Sequence, residues 1–142
     1  MKHHRVLRVI SKMLIPYIML FALYVQFHGD FGPGGGFQAG VILASALILY
    51  GLIFGIDAAV DAVPGGVVTR VIAAGVLIYG GVGVVTMMMG GEYLNYSVLS
   101  ADAVAGQHLG ILLIEFGVGT TVAGAMVGIF FAFAQRGSED DD

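Results

Sequence analysis

Cysteine is absent from this 142-residue chain, which removes a disulfide framework, a thiolate metal site and a cysteine nucleophile from consideration. Charge is scarce too: 11% of residues are Asp, Glu, Lys or Arg, while 58% are hydrophobic. So little polar sequence leaves helices that are apolar all round, the pattern of segments surrounded by lipid or by other helices. The mean hydropathy of +0.92 sets the chain apart from ordinary soluble domains. Its polar residues assemble no Ser-His-Asp arrangement, nucleotide fingerprint, haem-attachment pattern or nucleic-acid surface. Neither catalysis nor a cofactor is expected of the chain alone. The 23 glycines follow no Gly-X-Y period, which excludes collagen and suggests close helix packing instead.

Apolar runs of spanning length occupy about residues 9–27, 37–56, 68–89 and 109–133. Each has about 20 residues, and at about 1.5 Å per residue it crosses a hydrocarbon core of about 30 Å. The first run is long enough to span and is followed by no soluble domain, so it reads as a membrane helix rather than a cleaved signal peptide. The expected fold is all-α: one four-helix membrane domain over 1–142, with short polar termini at 1–8 and 134–142. The last connection, 90–108, has room for a short interfacial turn.

With four helices drawn, Lys2, Arg5, Arg8, Lys12, Arg70 and Arg136 all fall on one side. The positive-inside rule makes that side cytoplasmic and puts both termini there. The opposite side carries Asp30, Glu92 and Asp102 with His28 and His108, and no lysine or arginine. An acidic rim of this kind attracts Na⁺ or H⁺ to the mouth of a pathway. These residues lack tight ligand spacing such as His-x-x-x-His, so no metal site is expected. Asp57 and Asp61 fall in a cytoplasmic turn, Asp57 facing the unfavourable negative end of the second helix; two hydrated acids in a loop is the simpler reading.

Between the first two runs lies His28-Gly29-Asp30-Phe31-Gly32-Pro33-Gly34-Gly35-Gly36-Phe37-Gln38-Ala39-Gly40. Pro33 suits the first turn of the second helix, and Gly34 to Gly36 expose backbone donors to a carboxylate or to another helix. A tight turn with close packing is the plainer alternative. The Walker lysine is missing, so a phosphate loop is not indicated.

Glu115 is the one acid inside an apolar run. The expected helix start places it about six residues in, roughly 9 Å below the outer end. An ionised acid in a membrane helix costs on the order of 3 kcal/mol, so it faces protein or water. Proton or cation handling and a protonated glutamate bonded to Thr86 or Tyr79 both remain open. His108 lies two helical turns away on nearly the same face, so a relay to it needs an intermediary. Glycine pairs at four-residue spacing, Gly36/Gly40, Gly51/Gly55, Gly106/Gly110 and Gly124/Gly128, favour close helix crossings. Met87 to Met89 read as packing, and Tyr17, Tyr24, Tyr93 and Tyr96 as interfacial anchors.

The glycine-rich stretch resembles the signature of the B subunit of the Mrp (Mnh) multisubunit Na⁺/H⁺ antiporters. His28, Pro33, Gly34, Gly35, Gly36, Phe37 and Gln38 match the motif, and the four-helix architecture extends the resemblance over nearly the whole chain. It implies a non-catalytic subunit in the cell membrane of a prokaryote, needed for assembly and with a possible part in the ion path. Its implied partners are other antiporter subunits, including large chains similar to the proton-pumping subunits of respiratory complex I, with Na⁺ and H⁺ as the transported ions. Glu115, His108 and Asp30 are candidates for ion or proton handling on membrane energetics alone. A small stand-alone cation or multidrug transporter and a membrane-arm subunit of a hydrogenase-type complex are the alternatives.

Overall fold

The structure, a computed structural model, describes the backbone of residues 2–29 and 34–139, with side chains for 5–29 and 34–136. Among the described residues five α-helices follow one another: α1 Lys2–His28, α2 Gly36–Phe54, α3 Ile56–Ala62, α4 Gly65–Met88 and α5 Ala103–Glu139. A 3₁₀ turn, Tyr96–Leu99, precedes α5. No strand occurs among the described residues. Four of the helices, Arg5–His28, Gly36–Phe54, Gly65–Met88 and Ala103–Arg136, are long and apolar enough to cross a membrane.

These helices pack as a row in the order α1, α2, α5, α4. The row is closed by small side chains. A Cβ on Gly75 of α4 would lie 2.6 Å from the Gly117 carbonyl oxygen of α5, and one on Gly40 of α2 would lie 2.6 Å from that of Gly119. Between apolar helices in an apolar solvent, association rests on van der Waals contact, which such close approach maximises. Ala44, Ala59, Val68, Val127 and Phe131 form the buried cluster, where α2, α3, α4 and α5 come together. Outer faces stay apolar and uncovered: Leu77 is 73% and Met88 82% exposed. Met87, Met88 and Met89, expected to fill gaps, all lie on this uncovered surface.

Arg8 and Lys12 of α1 sit 5.7 and 5.5 Å from the ring centre of Phe54, the last residue of α2. Arg70 near the start of α4 and Arg136 near the end of α5 belong to the same end of the row. The expected cytoplasmic loop at 57–67 is instead mostly helical. Gly55, at φ 104° and ψ 153°, breaks the chain between α2 and α3. Asp57 therefore lies in the first turn of a new helix, where the positive end of the dipole favours an acid; the unfavourable placement expected for it does not arise. Asp57 and Asp61 are both exposed.

The fourth apolar helix starts earlier than hydropathy suggests. Asp102 Oδ1 accepts the Val104 N–H at 3.3 Å, and the Asp102 carbonyl accepts that of Gly106 at 3.0 Å, so α5 begins at Ala103. Gly106 and Gly110 pack against Tyr96 of the 3₁₀ turn.

A candidate site where Glu115 meets the glycine-rich helix start

The cap of α2, Gly35, and its first residue, Gly36, carry no side chain, and the reason lies on α5. Gly35 caps α2 at φ 130° and ψ 179°, a backbone region closed to side-chain-bearing residues. It supplies no side-chain hydrogen bond, and its carbonyl accepts the Ala39 N–H at 3.0 Å. At Gly36 a Cβ would lie 2.8 Å from the Glu115 carbonyl carbon and 3.0 Å from its Cα, and closer still to the carbonyl oxygen. Any residue larger than glycine would hold α2 away from α5.

The Glu115 side chain reaches the same joint. A Cβ on Gly35 would lie 3.1 Å from Glu115 Oε1, and one on Gly29, just past the end of α1, 2.8 Å from Oε2. The half-buried carboxyl thus sits between the end of α1 and the start of α2. The first N–H groups of α2 have no partners within their helix, and their partial positive charge stabilises a carboxylate there. The two features that stand apart in the sequence are one site.

Other expectations for Glu115 are revised. It lies 12 residues after Ala103, or roughly 18 Å along α5, because the helix starts before 109. α4 likewise continues from Tyr79, whose backbone nitrogen lies 3.1 Å from a Cβ on Gly117, to Met88, about 14 Å further. The α1–α2 joint therefore falls short of the ends of α4 and α5. Thr86 is occupied elsewhere: its hydroxyl donates to the Gly83 carbonyl at 2.8 Å and accepts the Leu94 N–H at 3.1 Å. Of the two partners expected for Glu115, this one is bonded within α4 and to the connection that follows it.

His28 ends α1 half-buried, its ring stacked on Tyr24 with centroids 5.2 Å apart. Phe37 and Gln38 are exposed, but Gln38 Oε1 would lie 3.8 Å from a Cβ on Gly35, beside the Glu115 carboxyl, so its side chain borders the joint that the glycines line. His108 is exposed on α5, seven residues from Glu115 and so about 10 Å along the helix. Glu92 and Asp102 are exposed, Asp102 serving as the cap of α5. Asp30 and Pro33 lie outside the described residues. No group of three or more His, Cys, Asp or Glu suited to a metal occurs among the described residues.

Three contributors escaped the sequence reading: Gln26, Gly29 and Gly119. Gln26 is only 6% exposed, and a Cβ on Gly119 would lie 2.5 Å from its Oε1 and 3.0 Å from the Gly36 carbonyl oxygen. The available signals were a lone amide inside an apolar run, one turn before Gly29, and a glycine one turn after Glu115.

The profile of the family described as "Domain related to MnhB subunit of Na+/H+ antiporter" matches residues 6–128. The chain belongs to this MnhB family. "Putative antiporter subunit mnhB2" from Staphylococcus aureus strains Newman and JH1 is in each case 30% identical over 133 residues, covering 91% of this chain and 93% of the relative. The matched MnhB region contains the whole joint, from Gln26 and Gly29 through Gly36 to Glu115 and Gly119. Family membership and four helices fit to span make this a multi-pass membrane protein.

Proposed function

We propose that this MnhB-family chain works as a non-catalytic membrane subunit of a multisubunit Na⁺/H⁺ antiporter, in which Glu115 exchanges a proton or cation at the α1–α2 joint. The position of both carboxyl oxygens against Gly29 and Gly35 carries this reading. Ionised, the carboxyl is attracted by the positive end of α2; neutralised, it loses that attraction. A change of charge on Glu115 thereby alters how firmly α1 and α2 are tied to α5, coupling ion occupancy to packing.

The basic end of the row faces the cytoplasm by the positive-inside rule, which turns the Glu115 joint toward the outer face together with Asp30, Glu92, Asp102, His28 and His108. Those outer acids draw cations to the site. The uncovered apolar faces, α1 above all, meet lipid and the other antiporter subunits, including the large complex-I-like chains, in the cell membrane of a prokaryote.

The test replaces Glu115 with Gln in the assembled complex and measures Na⁺-driven proton movement in everted vesicles. Normal assembly with strongly reduced exchange is expected. Full exchange by a normally assembled Glu115→Gln complex would sink the ion-handling role. Ion flux through the purified chain alone in liposomes would instead favour a stand-alone transporter.

A further inference from the structure

We propose that Arg8 and Lys12, gathered over the ring of Phe54, bind the phosphate of an anionic phospholipid at the basic end of the seam between α1 and α2. The Arg8 guanidinium and the Lys12 ammonium lie 5.7 and 5.5 Å from that one ring centre. They stand four residues apart on α1, a spacing at which like charges repel. Arg5 adds a third cation: at about 100° per residue the three fall within about 60° of one another round the helix. All three are exposed.

No acid among the described residues pairs with this stripe. Asp57 and Asp61, which follow Phe54 in sequence, belong to α3, and α3 packs on α2 and α5. The negative end of α2 supplies only about half a charge, too little for two full cations. An anion from outside the chain is called for, and the Phe54 ring holds both cations together to receive it.

The surroundings select a lipid over a soluble anion. Beyond Lys12 the same flank of α1 continues with Ile15, Met19 and Leu23, at steps of three and four residues. Met19 and Leu23 are 38% and 47% exposed. Across the seam, Leu43 lines one groove with Leu23, and the Tyr50 ring lies 4.9 Å from that of Phe54. From Lys12 to Leu23 is about 16 Å along α1, half of a hydrocarbon core of about 30 Å. A phospholipid brings its charge and its hydrocarbon together, so a chain hanging from a phosphate at Arg8 and Lys12 covers this flank. Inorganic phosphate would leave it bare. A zwitterionic headgroup would return a positive charge to the stripe, whereas that of phosphatidylglycerol does not. Nothing in this site involves Glu115.

The assembled antiporter complex is reconstituted in phosphatidylcholine vesicles containing a trace of phosphatidylglycerol or phosphatidylcholine with a diazirine on one acyl chain. After photolysis, adducts are mapped by peptide mass spectrometry. At Ile15 and Met19 the phosphatidylglycerol probe is expected to exceed the phosphatidylcholine probe about tenfold or more, while at Leu14 and Phe21, on the opposite side of α1, the two label alike. Each cation contributes about a fivefold preference for anionic lipid. Lys12→Gln should therefore lower the excess about fivefold, and Arg8→Gln combined with Lys12→Gln should abolish it. Arg70→Gln, on α4 at the other edge of the row, should leave it unchanged. Equal labelling by the two probes at Met19 would overturn the proposal. So would an excess shared by Leu14 and Phe21, surviving the double variant or lost in Arg70→Gln, each of which means unselective attraction. Loss of the excess to inorganic phosphate at constant ionic strength would overturn it in favour of a soluble anion. No labelling of Ile15 and Met19 by either probe would overturn it in favour of an acidic partner subunit. If the double variant does not assemble, Lys12→Gln decides alone: an undiminished excess refutes the site.

Discussion

Gly36 of α2 lies directly on the main chain of Glu115 in α5, so close that a methyl group at Gly36 would stand 3.0 Å from the Glu115 Cα. The obstacle is backbone and cannot rotate away. Gly36→Ala is therefore expected to destabilise the fold by about 1–3 kcal/mol, the usual range for overpacking. Gly80→Ala, where nothing lies within 4 Å, is the matched control and should be neutral. Thermal unfolding in detergent, read by circular dichroism, compares the two; equal melting temperatures would contradict the packing described.

Gly55 separates a space requirement from a conformational one. Its Cβ would meet nothing within 4 Å, yet its φ of 104° is closed to side-chain-bearing residues. Gly55→Ala should cost about 1–3 kcal/mol through backbone strain alone. Gly65→Ala, also in open space but without a positive φ, should leave the melting temperature unchanged or slightly raised. A neutral Gly55→Ala would show that the break between α2 and α3 is easily rebuilt.

Thr86 fastens the connection that leads into α5. Its hydroxyl is fully buried and accepts the N–H of Leu94, which itself sits at φ 62°. Thr86→Val keeps the shape but leaves that N–H unpaired, at a cost of about 1–3 kcal/mol. Thr86→Ser should retain most of the stability. Amide hydrogen exchange across residues 89–102 is the sensitive measurement, and faster exchange is expected in the valine variant only.

Tyr96, in the 3₁₀ turn outside the spanning helices, has its phenol pushed above the ordinary 10.0 by burial first, then by charge on Tyr79 and Tyr93. A raised folded value means that the phenol's contribution to stability is intact below pH 10 and declines as pH rises through the folded value. In a spectrophotometric titration, Tyr96→Phe should remove a late-titrating phenol. It should also lessen the loss of stability above pH 10. Loss of an early-titrating phenol instead would contradict the sign.

The four long helices are legible in the sequence because each is a sustained apolar run, and no alternative covers so much backbone in an apolar solvent. α3 is not, since seven residues are too few to show a period. The start of α5 was misplaced because Gln107 and His108 lower the local hydropathy, although Asp102 stood as a cap signal. Most consequential was the meeting of Glu115 with Gly29, Gly35 and Gly36. It depends on α5 lying beside α2 in the row, an order that no local pattern encodes. Gln26 was overlooked because one amide in an apolar run reads as an interruption until its buried surroundings are seen.

The most direct test of the Glu115 site is infrared difference spectroscopy of the assembled complex, with the Glu115 carboxyl band identified by its absence in Glu115→Gln. The account predicts that this band shifts between protonated and ionised forms across the pH range in which the antiporter works, and that added Na⁺ displaces the titration. A Glu115 carboxyl that keeps one charge throughout, whatever the Na⁺ concentration, would contradict it and leave the residue a fixed structural partner of the glycine joint.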